Sequence, residues 1–413
     1  MIISNASLDI LMLTPWFPNR PDGWPSRFVA DSAQALARRG HRIRVGVLRG
    51  LTPAGTARFA SPEHRGEIDA AHFPEIEEIR LARYPTLPGG LMRKLTNRTL
   101  DRALTALAGE MIAARRPDVI LVQTETLAPA AQTLAARMGL PVVGVLHGEN
   151  SNWRYLWTNG QAERFRDALG GLERLVVVGE PLRRFATDLS GRADHIEVVW
   201  NGVDPAPDRP PLRLPDEAPL RLVSVANLHP AKGLNLLIAA LGRLARDGDA
   251  PWHLTIIGDG PERANLAAQI ARQRLGDQIA LAGQKPHEDV LATLEKSDIF
   301  VLPSWREAFG IVYLEAMAAG ALCIGVEGQG PAQFLRHGET GFLVAPRSVG
   351  ALVETLRPLL IGPRNAWREI AQSGTRFARD HASWDAHARA LSEVLHVACA
   401  RAAPYPQEAR LVG

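Results

Sequence analysis

Continuous runs of Val, Ile and Leu alternate with helix-like patterns along almost the whole chain. Runs that stay apolar on successive residues are typical of parallel strands covered on both faces. The predicted strands of the first half are Asp9–Leu13, Arg42–Leu48, Glu78–Arg83, Asp118–Gln123, Val142–Leu146, Leu175–Val178 and Ile196–Trp200. The helical patterns between them include Phe28–Arg39, Leu100–Arg115, Pro129–Met138 and Pro181–Asp188. This alternation predicts a doubly wound α/β domain.

The second half repeats the alternation. Its predicted strands are Arg221–Ala226, His253–Ile257, Ile279–Ala282, Asp298–Leu302, Leu322–Val326 and Gly341–Val344. Its predicted helices are Leu234–Arg246, Pro261–Arg274, His287–Lys296, Ile311–Ala319 and Val349–Leu360, followed by Arg364–Asp380 and Trp384–Arg401. The fold class expected is therefore α/β, with two doubly wound Rossmann-like domains facing a central cleft.

Proline marks the expected boundary between these domains. Six prolines fall between Asp204 and Pro219, which is typical of a linker. We therefore predict a first domain at residues 1–203, a linker at 204–219 and a second domain at 220–383. The last helical pattern, at about 384–402, is followed by no strand and could pack back on the first domain.

Composition and charge disfavour several classes of protein. The chain has 413 residues, a formal net charge of +3 and two cysteines without paired spacing. Near balance of charge does not favour nucleic-acid binding, and the cysteine pattern indicates neither a disulfide framework nor a metal site. No apolar run reaches the length of a membrane span, and the N-terminus lacks the basic region of a signal peptide. A cytoplasmic protein is expected.

The most informative segment runs from Ser304 to Glu315. It follows an apolar strand and opens an apolar helix, so the junction presents free backbone N–H groups and the positive end of a helix dipole. Glu307 precedes the helix and Glu315 lies about two turns further, so both carboxylates can share one rim. The pattern suits a ligand that has both phosphate and hydroxyl groups.

Other predicted strand ends carry polar residues. His147 follows Val142–Leu146, where an imidazole could donate to a sugar hydroxyl or phosphate, although a lone histidine is more often a core or surface group. Lys232 stands at a helix start, where a cation is unfavourable against the helix dipole unless an anion is bound there. A solvated surface lysine is the alternative. Gly258 opens a Gly-Asp-Gly-Pro turn that is compatible with either a ligand contact or plain turn chemistry.

The long loop after the first strand contains Gly23 and could close over an anionic ligand. It lacks the G-x-G-x-x-G sequence of dinucleotide-binding folds, which disfavours a nicotinamide-dependent enzyme. The basic residues Arg93, Lys94, Arg98 and Arg102 are compatible with a peripheral membrane contact. A solvated helix face is the alternative.

Taken together, these motifs resemble the retaining GT-B glycosyltransferases of family 4, also called glycosyl transferases group 1. The resemblance covers nearly the whole chain. It rests on SWREAFGIVYLEAMAAG from residue 304, WNGVDP from residue 200, SVANLHPAKG from residue 224, IIGDGPER from residue 256 and HGETGFLV from residue 337.

The resemblance implies a nucleotide-sugar donor, a saccharide or glycolipid acceptor, and a hexosyltransferase-type activity in class EC 2.4. It implies that Lys232 contacts the donor diphosphate, that Glu315 binds the ribose hydroxyls and that His147 contacts the transferred sugar. Glu307, with the backbone at Ala308, Phe309 and Gly310, would hold the sugar and phosphate. The remaining donor-binding positions implied are Gly23, Asn227, Gly258 and Ile311.

Two positions depart from the family pattern. Asn227 stands where the family commonly has Arg, so one expected diphosphate charge is missing. Gln333 stands where the family commonly has Glu, and a neutral amide loses the charge-assisted contribution of about 1.5–3 kcal/mol. The resemblance implies no metal, no other cofactor and no side-chain base. It also implies bacterial polysaccharide or lipopolysaccharide synthesis in the cytoplasm or at the inner face of the membrane. The alternatives left open are an epimerase, a sugar phosphorylase and a non-catalytic nucleotide-sugar-binding subunit.

Overall fold

The computed structural model describes residues 6–20, 27–51, 66–86, 93–148, 162–204, 218–248 and 251–401. It divides the chain into two compact units. The first contains the residues up to Trp200 together with those from Trp384 onward, and the second is Asn201–Ser383. Val203 lies with the second unit because its N–H donates to the Ala382 carbonyl over 2.8 Å. The predicted first domain had extended to residue 203.

A seven-stranded parallel sheet forms the centre of the first unit, in the order β3-β2-β1-β4-β5-β6-β7. Two of its inner strands, β4 and β5, are buried along their whole length, as their unbroken apolar sequences predict. The strands are β1 (Asp9–Thr14), β2 (Arg42–Leu51), β3 (Glu78–Pro85), β4 (Val119–Val122), β5 (Val142–Leu146), β6 (Arg174–Val177) and β7 (Ile196–Val198).

Helices cover the faces of this sheet. They are α1 (Arg27–Arg38), α2 (Arg93–Ala114), α3 (Ala128–Met138), α4 (Ala162–Gly170), α5 (Pro181–Ser190) and the last described helix, α12 (Trp384–Arg401). Helix α12 packs on α1. Its His387 Nε2 lies 2.7 Å from Ser32 Oγ, and its Nδ1 lies 2.7 Å from the Trp200 carbonyl oxygen. These two hydrogen bonds hold α12 on the first unit.

The second unit has a six-stranded parallel sheet in the order β10-β9-β8-β11-β12-β13. Its strands are β8 (Leu220–Val225), β9 (Trp252–Ile257), β10 (Ile279–Gly283), β11 (Ile299–Val301), β12 (Leu322–Val326) and β13 (Phe342–Val344). Its helices are α6 (Leu234–Arg246), α7 (Arg263–Gln273), α8 (His287–Glu295), α9 (Ile311–Ala318), α10 (Val349–Ile361) and α11 (Arg364–His381).

In the second sheet, β8 pairs with β9 on one side and with β11 on the other. The strand order therefore reverses between β8 and β11. Ligands of open α/β sheets bind beside the carboxyl ends of strands at such a switch point. The loops that leave Val225 and Val301 are the ones that carry Lys232 and Glu307.

These observations confirm the predicted α/β class with two Rossmann-like parallel sheets. Most of the predicted linker, residues 205–217, lies outside the described residues. Within the described part of the chain, no helix has both the length and the apolar character needed to cross a membrane.

Candidate active site

The segment from Ser304 to Gly310 leads from β11 into α9. Ser304 is fully buried and its hydroxyl donates to the Ala231 carbonyl over 3.3 Å, while the Trp305 N–H donates to the same carbonyl over 3.0 Å. Gly310 precedes the helix with φ at +83°, and a Cβ there would lie 2.7 Å from the Tyr313 ring. Only glycine suits this turn, which starts α9 and leaves its first N–H groups without intrahelical acceptors.

Lys232 and Glu307 form an ion pair at the switch point. Lys232 Nζ lies 2.7 Å from Glu307 Oε2, and the two side chains are 23% and 13% exposed. Lys232 can reach Glu307 because the next residue, Gly233, packs directly against Pro303, which follows β11. A Cβ on Gly233 would be 2.2 Å from the Pro303 carbonyl oxygen. Lys232 and Glu307, which the sequence indicated as separate candidate residues, are therefore in direct contact.

The loop after β12 holds the backbone of Glu307 on both sides. The Glu307 N–H donates to Gln329 Oε1 over 3.0 Å, and the Gly330 N–H donates to the Glu307 carbonyl over 2.8 Å. Gly330 packs so closely that a Cβ would lie 2.5 Å from the Phe309 Cα. The N–H of Gly330 is thus directed to the backbone of Glu307.

Glu315 lies one turn into α9 and faces the first residue of α8. Its Oε1 lies 2.9 Å from His287 Nε2, and both side chains are almost buried. Its Oε2 is buried and meets no hydrogen-bond partner among the described residues. The carboxylate is therefore held through one oxygen and leaves the other available.

The remaining donor-side positions of the second unit lie on the same rim. Gly258 has φ at +130°, and a Cβ there would be 1.9 Å from the Ala226 carbonyl oxygen. A Cβ on Gly260 would lie 2.6 Å from Asn227 Oδ1, which places the exposed Asn227 side chain over this turn. Phe309 is buried with its ring centroid 5.7 Å from that of Phe334. Ala308 and Ile311 flank this buried ring and are half-buried.

His147 belongs to the first unit, where it ends β5. Its Nε2 lies 2.8 Å from Gln123 Oε1, and its ring lies against Phe28 (4.6 Å between centroids) and Trp16 (6.0 Å). Burial, and secondarily the positive charge of a protonated His387, lowers the pKa of His147 to about 3. The ring is thus neutral at physiological pH. With Nε2 donating to Gln123, Nδ1 is a buried acceptor that has no partner in the described ranges.

The structure brings together Lys232 with Glu307, and Asn227 with the Gly258 turn, all within the second unit. Gly23 lies outside the described residues. Two further residues, His287 and Gln329, contact the predicted site residues but were not singled out from the sequence for these contacts. Two sequence features could have pointed to them: His287 directly follows Pro286 at the start of a helical pattern, and Gln329 stands between two glycines.

Electrostatically, the rim of the second sheet is suited to an anion that also carries hydroxyls. The Lys232 ammonium and the N-terminus of α9 favour negative charge. Glu307 and Glu315 provide carboxylate acceptors. Among the described residues, no group of three or more His, Cys, Asp or Glu side chains could hold a metal ion.

Two family models together match nearly the whole chain. Residues 25–207 match the model described as Glycosyltransferase Family 4, and residues 208–376 match Glycosyl transferases group 1. A glycogen synthase of Mycobacterium tuberculosis is 31% identical over 298 residues, which is 71% of each chain. The chain belongs to glycosyltransferase family 4.

Other relatives of this family 4 glycosyltransferase cover more of its length. A GDP-mannose-dependent alpha-(1-6)-phosphatidylinositol monomannoside mannosyltransferase of Mycobacterium tuberculosis is 25% identical over 94% of this chain and 97% of its own. A putative colanic acid biosynthesis glycosyltransferase of Escherichia coli is 27% identical over 73% of this chain and 76% of its own.

Solved structures share the fold of the family 4 chain. Anabaena Alr3699/HepE, in complex with UDP and glucose, has a TM-score of 0.68 at 17% identity and covers 94% of this chain and 99% of its own. The sucrose-phosphate synthase of Thermosynechococcus elongatus has a TM-score of 0.69 at 20% identity and covers 94% and 98%. The fold is GT-B, and the protein is a glycosyltransferase of class EC 2.4.

Proposed function

We propose that this enzyme transfers a hexose from a nucleotide-sugar donor to a saccharide or lipid-linked saccharide acceptor, with retention of anomeric configuration. We place this reaction in bacterial polysaccharide or lipopolysaccharide synthesis. The observation that carries the proposal is the Lys232–Glu307 ion pair at the switch point of the second sheet, directly before the N-terminus of α9. Relatives named for GDP-mannose-dependent transfer, and a fold neighbour solved with UDP and glucose, support a nucleotide-sugar donor.

The chemical problem is the departure of a nucleoside diphosphate from an anomeric carbon. Negative charge grows on the departing phosphate oxygens as the bond breaks. Lys232 is 23% exposed and therefore only partly screened by water, and α9 begins at Ile311, shortly after Glu307, with no side-chain cap on its N-terminus. These groups would stabilise the departing charge without a metal ion.

Glu307 has a second role in this proposal. Its backbone is held by Gln329 and Gly330, so its carboxylate occupies a defined position beside Lys232. A donor diphosphate would compete with Glu307 for the ammonium group. Binding would then release the carboxylate to accept hydrogen bonds from the hydroxyls of the donor sugar. The backbone at Ala308, Phe309 and Gly310 would hold the phosphate and sugar.

His147 would act as a neutral acceptor. Its Nδ1 is buried without a partner in the described ranges, and its pKa of about 3 keeps it uncharged. A sugar hydroxyl that donates to Nδ1 would satisfy it. No side chain is assigned as a base. The departing phosphate itself would take the acceptor proton, as the family resemblance implies.

The experiment that tests this function is a donor panel. Purified protein is incubated with UDP-, GDP- and ADP-sugars, with and without saccharide acceptors, and nucleoside diphosphate release is measured. Acceptor-dependent release, with an α-linked product from an α-linked donor by NMR, is the expected result. Sugar isomerisation without an acceptor would indicate an epimerase, turnover that requires free phosphate would indicate a phosphorylase, and binding without turnover would indicate a non-catalytic subunit.

A lipid-linked acceptor is supported by one surface of the first unit. On α2, Arg98 and Arg102 are exposed and Leu95 is 46% exposed, which combines basic and apolar contacts on one helix. The side chains of Arg93 and Lys94 lie outside those described. Co-sedimentation with anionic but not neutral vesicles, weakened by Arg98→Glu, would support a peripheral membrane contact. Equal recovery in the supernatant with both vesicle types would contradict it.

A further inference from the structure

Glu315 is held by a residue that lies on a different helix. Its Oε1 lies 2.9 Å from Nε2 of His287, the first residue of α8. The Glu315 and His287 side chains are 11% and 10% exposed, so water has little access to the contact. This hydrogen bond joins the two helices that follow β10 and β11 at the carboxyl edge of the second sheet.

The chemistry of the two groups fixes the direction of this bond. An ionised carboxylate has only acceptors, so His287 Nε2 carries the hydrogen and donates it. An imidazole nitrogen engages one carboxylate oxygen, whereas a guanidinium would engage both. The second oxygen, Oε2, is buried and has no hydrogen-bond partner in the described part of the chain. A buried carboxylate oxygen in this state lacks a donor that a ligand could provide.

The position of the pair indicates which part of a ligand it would meet. Glu315 lies about one turn beyond the start of α9, where the proposed function places the donor diphosphate. The group joined to that diphosphate on the side away from the transferred sugar is a ribose. A ribose presents two adjacent hydroxyls, and each can donate to a carboxylate oxygen.

Resting on the proposed function, we propose that His287 is a positioning residue for Glu315. It fixes the carboxylate rotamer through Oε1 and leaves Oε2 oriented to accept from the ribose 2′ and 3′ hydroxyls. The site would therefore select ribonucleotides over 2′-deoxyribonucleotides, and this selection would depend on a residue that does not itself touch the ribose.

A merely structural role for His287, such as support of the packing between α8 and α9, makes a different prediction. Loss of packing would weaken the binding of every nucleotide to the same extent. Loss of the oriented carboxylate would weaken the binding of ribonucleotides more than that of 2′-deoxyribonucleotides, which have only one of the two hydroxyls. The ratio of the two affinities therefore separates the two roles.

The test measures dissociation constants for UDP, GDP and their 2′-deoxy forms by titration calorimetry on the full-length protein. The variants are His287→Ala, His287→Gln and Glu315→Gln. His287→Gln keeps a side-chain N–H donor and guards against a folding defect. His253→Ala is the matched control, because His253 is an exposed histidine on β9 of the same unit.

We expect the wild type to prefer the ribonucleotide by about tenfold or more, the effect of a hydrogen bond to a charged group. His287→Ala and Glu315→Gln should each remove most of that preference, because they weaken ribonucleotide binding more than 2′-deoxyribonucleotide binding. His287→Gln should retain part of the preference, and His253→Ala should match the wild type.

A wild-type ratio in His287→Ala, alongside a lost ratio in Glu315→Gln, would overturn the inference and leave the proposed function intact. An equal weakening of both nucleotides in His287→Ala would also overturn it. A wild-type protein that binds neither nucleotide would overturn the proposed function together with the inference.

Discussion

Lys232 Nζ and Glu307 Oε2 lie 2.7 Å apart, although the two residues are separated by 75 positions in the chain. They meet because β8 and β11 are neighbours at the point where the strand order reverses. Gly233 permits the approach, since any side chain there would collide with the Pro303 carbonyl. The cation proposed for the departing phosphate and the carboxylate proposed for the sugar are thus placed by the topology of one sheet.

The two members of this pair should affect ligand binding differently. Lys232→Ala should weaken the binding of a nucleoside diphosphate by about tenfold, because it removes a partly buried cation from the proposed phosphate position. Glu307→Gln should leave that binding unchanged or strengthen it, since the ammonium no longer has a competing carboxylate. Titration calorimetry measures both effects, and Lys296→Ala, at an exposed lysine of the same unit, is the control. Equal weakening in both variants would contradict the proposed division of roles.

Gln329 should contribute to catalysis although we place it outside any contact with substrate. Gln329→Leu removes the acceptor of the Glu307 N–H and should lower stability by about 1 kcal/mol. It should also lower kcat more than it raises KM, because Glu307 loses its defined position. Steady-state kinetics and chemical denaturation measure these effects. Gln329→Glu keeps an acceptor oxygen and should retain more activity, and if it proves as impaired as Gln329→Leu, the hydrogen bond is not the cause.

Gly330 should tolerate no side chain. In Gly330→Ala the new Cβ would meet the Phe309 backbone at 2.5 Å and force the 304–310 segment to move. A loss of about 1–3 kcal/mol in the free energy of unfolding is expected, with a fall in activity. Gly276→Ala is the matched control, because a Cβ there meets nothing within 4 Å. Equal stability of the two variants in urea denaturation would show that the close approach is absent.

Acid should destabilise the first unit through buried histidines. Burial lowers the pKa of His147 to about 3 and that of His387 to about 4, both from 6.5. A lowered folded-state pKa means that stability is fully present above pH 6.5 and is lost as the pH falls toward 4 and then 3. Unfolding should take up about one proton per histidine in this window. The slope of unfolding free energy against pH measures this uptake, and His387→Gln should reduce it. An unchanged slope would contradict the assignment of His387.

The sequence was sufficient for the architecture because each parallel strand is a short, continuous apolar run. β4 and β5 are buried along their entire length and are recognisable without any knowledge of their neighbours. Helix α4 was not among the predicted helices. Its nine residues carry only three buried positions, so its apolar pattern is brief.

The sequence likewise predicted only part of the candidate site. Glu307, Glu315 and Lys232 stand in motifs that a local pattern identifies. Their hydrogen-bond partners stand in no such motif, because Gln329 is 22 positions from Glu307 and His287 is 28 positions from Glu315. Such contacts depend on which strands are neighbours and on side-chain directions that only packing determines. The proposed role of Gly23 stays a prediction, because that residue lies outside the described ranges.

Transfer by Lys232→Ala and Glu307→Ala, compared with the wild type and Lys296→Ala on whichever nucleotide-sugar the wild type uses, tests the central claim most directly. We predict that kcat/KM falls at least about tenfold in each of the two variants, equivalent to about 1.4 kcal/mol of transition-state stabilisation, while both stay folded and Lys296→Ala remains fully active. Wild-type rates in either Lys232→Ala or Glu307→Ala would contradict the account.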